Sequence, residues 1–213
     1  LLLDEGQAGF EGPWDTYARM ATLRSGKTLA GPALHIPALT YQAWHRATFG
    51  DVSWETLYKI PTPLWMDYLR WYRSVFSLPV QNEVTVESIE REGERIKLTL
   101  RDKKPLLARK VILATGRGGF GGIKLPSFLT ELPKEYYAHS CEEIDFANWR
   151  GKDLVVLGGG ASAFDASAVA LETGAKSVTQ FVRRDKIPFI NKFASVIYPG
   201  FAKGFLNKKS PKK

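Results

Sequence analysis

The feature that most constrains this chain is a glycine cluster set between two strand-like segments. Residues 152–157, KDLVVL, contain a short apolar run of the kind that makes a strand. Gly158-Gly159-Gly160-Ala161-Ser162-Ala163 follow at once. Residues 166–173 read as a helix with Gly174 as its stop signal, and residues 177–182, SVTQFV, read as a second strand. A βαβ unit needs this order and this length, so the second half is expected to be α/β.

The pattern at 158–163 is G-x-G-x-x-A, and each small residue has a physical reason to be there. Gly158 permits the sharp turn out of the strand. Gly160 lets a pyrophosphate approach the backbone with no Cβ in the way, and Ala163 lets helix and sheet pack closely. The N–H groups around Ala161 and Ser162 point from the helix N-terminus at an anion, where the helix dipole favours negative charge. The other reading is a glycine-rich turn that binds nothing. The end of the second strand separates the nicotinamide cofactors. An NAD site places an acid there for the ribose hydroxyls. Here Arg183 and Arg184 follow the strand, and two guanidinium forks suit the 2′-phosphate of NADP. A solvated arginine pair is the alternative, and Asp185 could neutralise one of the two.

The first half reads differently. Leu1-Leu2-Leu3-Asp4-Glu5-Gly6 looks like a buried strand ending in an acid and a glycine, and residues 6–50 read as long irregular connections with short helices. Residues 63–77 form a helix: Pro63 suits its first turn, and Trp65, Leu69, Tyr72 and Phe76 mark its core face. Strands are expected at 84–89, 95–100 and 110–114, with a turn at 91–94. Glycines crowd between 116 and 122 before Pro126, which places a junction between domains at 1–126 and 127–213.

Composition narrows the function classes. With 44% hydrophobic and 24% charged residues in 213, the chain is neither disordered nor fibrous. Its apolar runs are too short to span a bilayer, and LLLDEGQAGF has no secretory pattern, so a cytoplasmic protein is expected. The single cysteine, Cys141, leaves no disulfide, CxxC pair or Cys-rich metal site within these residues, and no metal is expected. The net charge of +8 falls to 8 − 5 = +3 without the five lysines of residues 203–213, so no nucleic-acid partner is expected.

Residues 110–116, KVILATG, together with GGGASAFDAS after LVVL, resemble the flavin-containing monooxygenase-like oxidoreductases over nearly the whole chain. The resemblance implies a Rossmann-like architecture of two dinucleotide-binding domains, an FAD domain with an NADPH domain inserted, here incomplete at both ends. It implies FAD and NADP as cofactors. Glu5 would hold the adenosine ribose of FAD and Trp14 would lie beside the flavin and pyrophosphate. Arg24 would pass near the isoalloxazine, Val84 would meet adenine, and Ala114, Thr115 and Gly116 would end a strand at the flavin nucleotide site. His139-Ser140 resembles the His-Ser pair of the family's linker motif F-x-G-x-x-x-H, but Pro133 and Glu135 stand where Phe and Gly are expected. The monooxygenase subfamily is therefore left open, His139 as a lone histidine reads as structural ahead of catalytic, and no catalytic residue is assigned. The implied activity is reduction of FAD by NADPH and insertion of one oxygen atom from O₂ into a small organic substrate. The alternative is a truncated nucleotide-binding module without turnover, because the family's own N-terminal GxGxxG unit would precede Leu1. On that view this length of chain does not retain FAD.

Overall fold

In the computed structural model, residues 1–28, 31–116 and 122–187 are described. Helix α1 (Tyr41–Phe49) begins at Thr40, whose Oγ1 accepts from the Ala43 N–H at 3.2 Å, and ends at Gly50. Gly50 has φ +84°, which turns the chain directly into α2 (Asp51–Thr56). Helix α3 (Thr62–Val75) carries Pro63 in its first turn as expected. These helices meet around an aromatic core of Leu23, Leu39, Tyr41, Trp44, Trp54, Ile60, Tyr68 and Tyr72. The buried face of α3 is rotated from the expected one. Met66, Tyr68 and Tyr72 are buried, Trp65 and Leu69 only partly, and Phe76 is 37% exposed. The rotation follows from what packs there: the Tyr68 hydroxyl reaches across to the Leu39 carbonyl at 2.7 Å, which fixes that side of the helix inward.

Strand β1 (Leu2–Leu3) runs parallel to β2 (Val80–Gln81), Leu2 opposite Val80. The expectation of a buried strand is corrected. Leu1 is 70% and Leu2 47% exposed, because β2 is the only strand beside β1 among the described residues.

Strands β3 (Val86–Glu92), β4 (Arg95–Leu100) and β5 (Lys103–Ala108) form an antiparallel sheet in that order. The first two strands are present as read, but β3 runs from Val86 on through Arg91 and Glu92, so the turn narrows to Gly93-Glu94 with Glu92 opposite Arg95. The third is not present as read. The expected strand at 110–114 is irregular, with Ile112 91% exposed, and its place is taken by β5. Asp102, at φ +55°, returns the chain immediately, so that Leu106 and Ala108 lie opposite Leu98 and Ile96 and pack toward Val84 and Leu100. Pro105 argues against a strand on sequence grounds, but β5 is an edge strand, where a missing N–H is tolerated.

The second half contains β6 (Asp153–Leu157), α4 (Ala161–Glu172) and β7 (Ser177–Phe181). The two strands pair in parallel from Asp153 opposite Ser177 to Leu157 opposite Phe181. The helix starts five residues earlier than its apolar pattern suggested, directly at the end of the glycine turn. It stops at Gly174 as expected, with φ +101° and its N–H on the Leu171 carbonyl at 3.0 Å. The molecule is thus mixed α/β with parallel strand pairs. The glycine-dense junction lies in part, and the lysine-rich tail wholly, outside the described residues.

Candidate dinucleotide-binding site

The turn between β6 and α4 is held on both sides. The Gly158 N–H donates to the Phe181 carbonyl at 2.9 Å, and the Gly158 carbonyl accepts from Gln180 Nε2 at 2.8 Å. Gln180 Oε1 in turn accepts from Ser167 on α4 at 3.1 Å. Strand, turn and helix are therefore tied through one amide side chain, which sequence reasoning passed over because a glutamine in a strand carries no motif. Gly158 has φ +143°, a backbone conformation that side-chain-bearing residues rarely adopt, and it lies against Ala163, whose Cβ would stand 3.4 Å from a Cβ built on it. Gly159, not singled out from the sequence, is the most constrained of the three: a Cβ there would lie 2.5 Å from Val182 Cγ1.

Gly160 is different. A Cβ built on it meets nothing within 4 Å, so the position faces open space. Gly160 is also the N-cap of α4 and offers no side chain to the first turn, which contains no acid. The Ala163 and Phe164 N–H groups bond the Gly160 carbonyl at 3.0 and 3.3 Å, while those of Ala161 and Ser162 find no acceptor among the described residues. Two unpartnered donors at the positive end of a helix, facing open space, fit a diphosphate. Arg183 and Arg184 are exposed just beyond β7, and among the described residues neither they nor Asp185 are in an ion pair.

The residues expected near a flavin are more scattered. Glu5 is exposed two residues beyond β1 and close to Val84, whose N–H donates to the Asp4 carbonyl at 3.0 Å; Val84 itself is 3% exposed, in the core of the antiparallel sheet. Trp14 is half-buried, edge-on to Trp65 with ring centres 6.4 Å apart. Ala114, Thr115 and Gly116 are exposed in the irregular segment after β5 and end no strand. Arg24 is ion-paired with Asp165 of α4. His139 Nδ1 accepts from the Cys141 N–H at 3.1 Å, a local turn contact. Among the described residues no group of His, Cys, Asp and Glu could hold a metal ion.

Arg19 gave no sequence signal, because its partners lie more than 120 residues away. Its guanidinium donates to the Ser140 carbonyl at 2.7 Å and the Glu142 carbonyl at 2.8 Å, and stands 5.2 Å from the centre of the Phe146 ring. Burial pulls its pKa below the ordinary arginine value, against the opposing pull of Cys141 and Asp165.

A parallel β–glycine turn–α–β unit of this kind is the unit from which dinucleotide-binding α/β folds are built. The chain belongs to the pyridine nucleotide-disulphide oxidoreductase family, whose sequence profile matches residues 55–203. It is 44% identical over 211 residues to an FAD-dependent urate hydroxylase of Xanthomonas campestris pv. campestris, covering 95% of this chain and 44% of that protein. The chain therefore spans less than half the length of that relative. Its fold is that of the flavin-containing monooxygenases. A flavin-containing monooxygenase from Stenotrophomonas maltophilia superposes with TM-score 0.61 at 22% identity, covering 96% of this chain and 59% of that one. Ornithine hydroxylase from Pseudomonas aeruginosa superposes with TM-score 0.67 at 18% identity, covering 98% and 54%. No helix among the described residues is long and apolar enough to cross a membrane.

Proposed function

We propose that this chain carries the NADPH-binding unit and part of the FAD-binding domain of a flavoprotein monooxygenase that inserts one oxygen atom of O₂ into a small organic substrate. The observation that carries this reading is the open space at Gly160, faced by the Ala161 and Ser162 N–H groups, with two arginines at the end of β7, all four without a partner among the described residues. Gly158, Gly160 and Ala163 shape the turn, Ala161 and Ser162 hold the diphosphate, and Arg183 and Arg184 hold the 2′-phosphate. On the flavin side the reading places Glu5, Trp14, Arg24, Val84, Ala114, Thr115 and Gly116 around FAD. Oxygen transfer is chemistry that bound, NADPH-reduced FAD supplies; the chain's own groups bind, orient and exclude water. The 44% identical relative makes urate the first substrate to test.

Calorimetric titration tests the cofactor assignment. The 2′-phosphate is the only group that distinguishes NADPH from NADH. Charge-assisted hydrogen bonds to it are worth roughly 1.5–3 kcal/mol, or about one to two decades of affinity. Replacing Arg183 and Arg184 together by alanine is expected to weaken NADPH by that margin and leave NADH nearly unchanged. Gly160→Val is expected to weaken both, by filling the space that the shared pyrophosphate takes. Equal losses for both cofactors in the arginine variant would remove the NADP assignment. A nucleotide-binding module without turnover is the second reading, favoured by the exposure of Ala114–Gly116; protein that binds NADPH but holds no yellow chromophore when mixed with FAD would support it.

A further inference from the structure

Residues 20–23 lie as a short strap against the start of α3. The Leu23 N–H donates to the Ile60 carbonyl at 2.8 Å, the Thr62 N–H to the Ala21 carbonyl at 3.0 Å, and Thr62 Oγ1 to the Met20 carbonyl at 2.7 Å. The strap is therefore fixed to the helical first half. An arginine stands at each end of it, and both reach into the second half. Arg19 grips the turn at 139–142 by the Ser140 and Glu142 carbonyls and lies over Phe146, while Arg24 pairs with Asp165 on the helix that starts at the glycine turn.

We propose that Arg19 is a positioning residue: with the Arg24–Asp165 pair as its second point, it locks the nucleotide-binding βαβ unit in one orientation on the flavin-side half. This rests on the nucleotide reading above for its purpose, though not for its geometry. Two separated points of attachment resist rotation where one would act as a pivot. The choice of residue fits the task, since a planar guanidinium can donate to two carbonyls in a fixed fork and stack on a ring, and an ammonium cannot hold that geometry. Orientation matters because hydride transfer from a bound nicotinamide to a bound flavin requires near-contact geometry, and a misplacement of about 1 Å can cost about 100-fold in rate.

Cys141 lies between the two carbonyls that Arg19 holds, is exposed, and is the chain's only cysteine, so it takes a spin label with no other change. A second label at Val52→Cys, a position 80% exposed on α2, reports the distance between the halves by pulsed electron paramagnetic resonance. The parent protein is expected to give one narrow distance distribution. Arg19→Ala and Arg19→Lys should both lose it, with NADPH affinity by calorimetry unchanged and flavin reduction by saturating NADPH slowed by up to about 100-fold in flavin-loaded enzyme. Arg24→Asp alone should broaden the distribution, and adding Asp165→Arg should restore it. That pair is partly exposed, so the swap decides the matter if the Arg19 variants fail to fold. A distribution left narrow by Arg19→Ala, or by Arg24→Asp, would overturn the proposal. Failure of the parent to bind NADPH would sink the nucleotide reading while leaving the distance test standing.

Discussion

Tyr41 and Tyr68 lie in contact at the centre of the aromatic core, both fully buried, with ring centres 5.4 Å apart. Burial pushes both phenol pKa values up to about 12, helped by Asp67 at Tyr41 and by Tyr72 at Tyr68. Their hydroxyls differ in what they meet. Tyr68 donates to the Leu39 carbonyl, whereas the Tyr41 hydroxyl has no partner among the described residues. A buried donor without a partner carries its desolvation cost uncompensated, while deleting one member of a buried pair leaves the other stranded at about 1–3 kcal/mol. Tyr41→Phe is therefore expected to leave the urea midpoint unchanged or raised, and Tyr68→Phe to lower it clearly. Midpoints that fall equally would show that the Tyr41 hydroxyl has a partner after all.

At the scale of elements, the β6–turn–α4–β7 unit contains three consecutive glycines that do different work. Gly158 supplies backbone conformation, Gly160 faces open space, and Gly159 leaves space for the protein itself, against Val182. Gly159→Ala must push the end of β7 away, an overpacking that costs about 1–3 kcal/mol. The expected outcome is a lower melting temperature with NADPH affinity also reduced, since Val182 directly precedes the arginines. A second substitution, Val182→Ala, should recover most of the stability by removing the Cγ1 atom. No recovery in the double variant would place the strain elsewhere. The motif pattern alone would not rank these glycines, because it records only that they are small.

For the whole molecule, His45 and Glu11 both contribute to the response to acid. His45 is buried among Tyr41, Phe49 and Trp54, and burial, followed by the charge of Lys27, holds its pKa below the ordinary 6.5. The unfolded chain takes up that proton first, so stability is full above about pH 6.5 and declines as pH falls toward the depressed folded value. Glu11 adds a lower window. Burial tends to raise its pKa, but the Asn82 side chain, backbone N–H groups including that of Gly9, and Arg73 together bring it below 4.5. Its contribution is present above 4.5 and is lost as pH drops through the folded value. Urea midpoints measured from about pH 7.5 down to about pH 3 should decline in two steps, and His45→Gln should flatten the upper one. An unchanged upper step in that variant would assign it to another group.

Local sequence determined the elements whose residues carry their own instructions. The β6–α4–β7 unit, the Gly93 hairpin, the Pro63 start of α3 and the Gly174 stop were legible because strand period, turn geometry and helix termini depend on neighbours a few residues apart. The G-x-G-x-x-A turn was legible for the same reason, as was the arginine pair beyond it. The tertiary structure alone decided what depends on distant partners. It placed β5 at Lys103–Ala108 and left 110–114 without a neighbouring strand among the described residues, because a strand exists only where another backbone completes its hydrogen bonds. It turned Tyr68 rather than Phe76 into the core, because α1 and the strap at 20–23 approach α3 from that side. It also brought Arg19 to Ser140 and Glu142, and Arg24 to Asp165, contacts between segments more than 100 residues apart that no local pattern encodes.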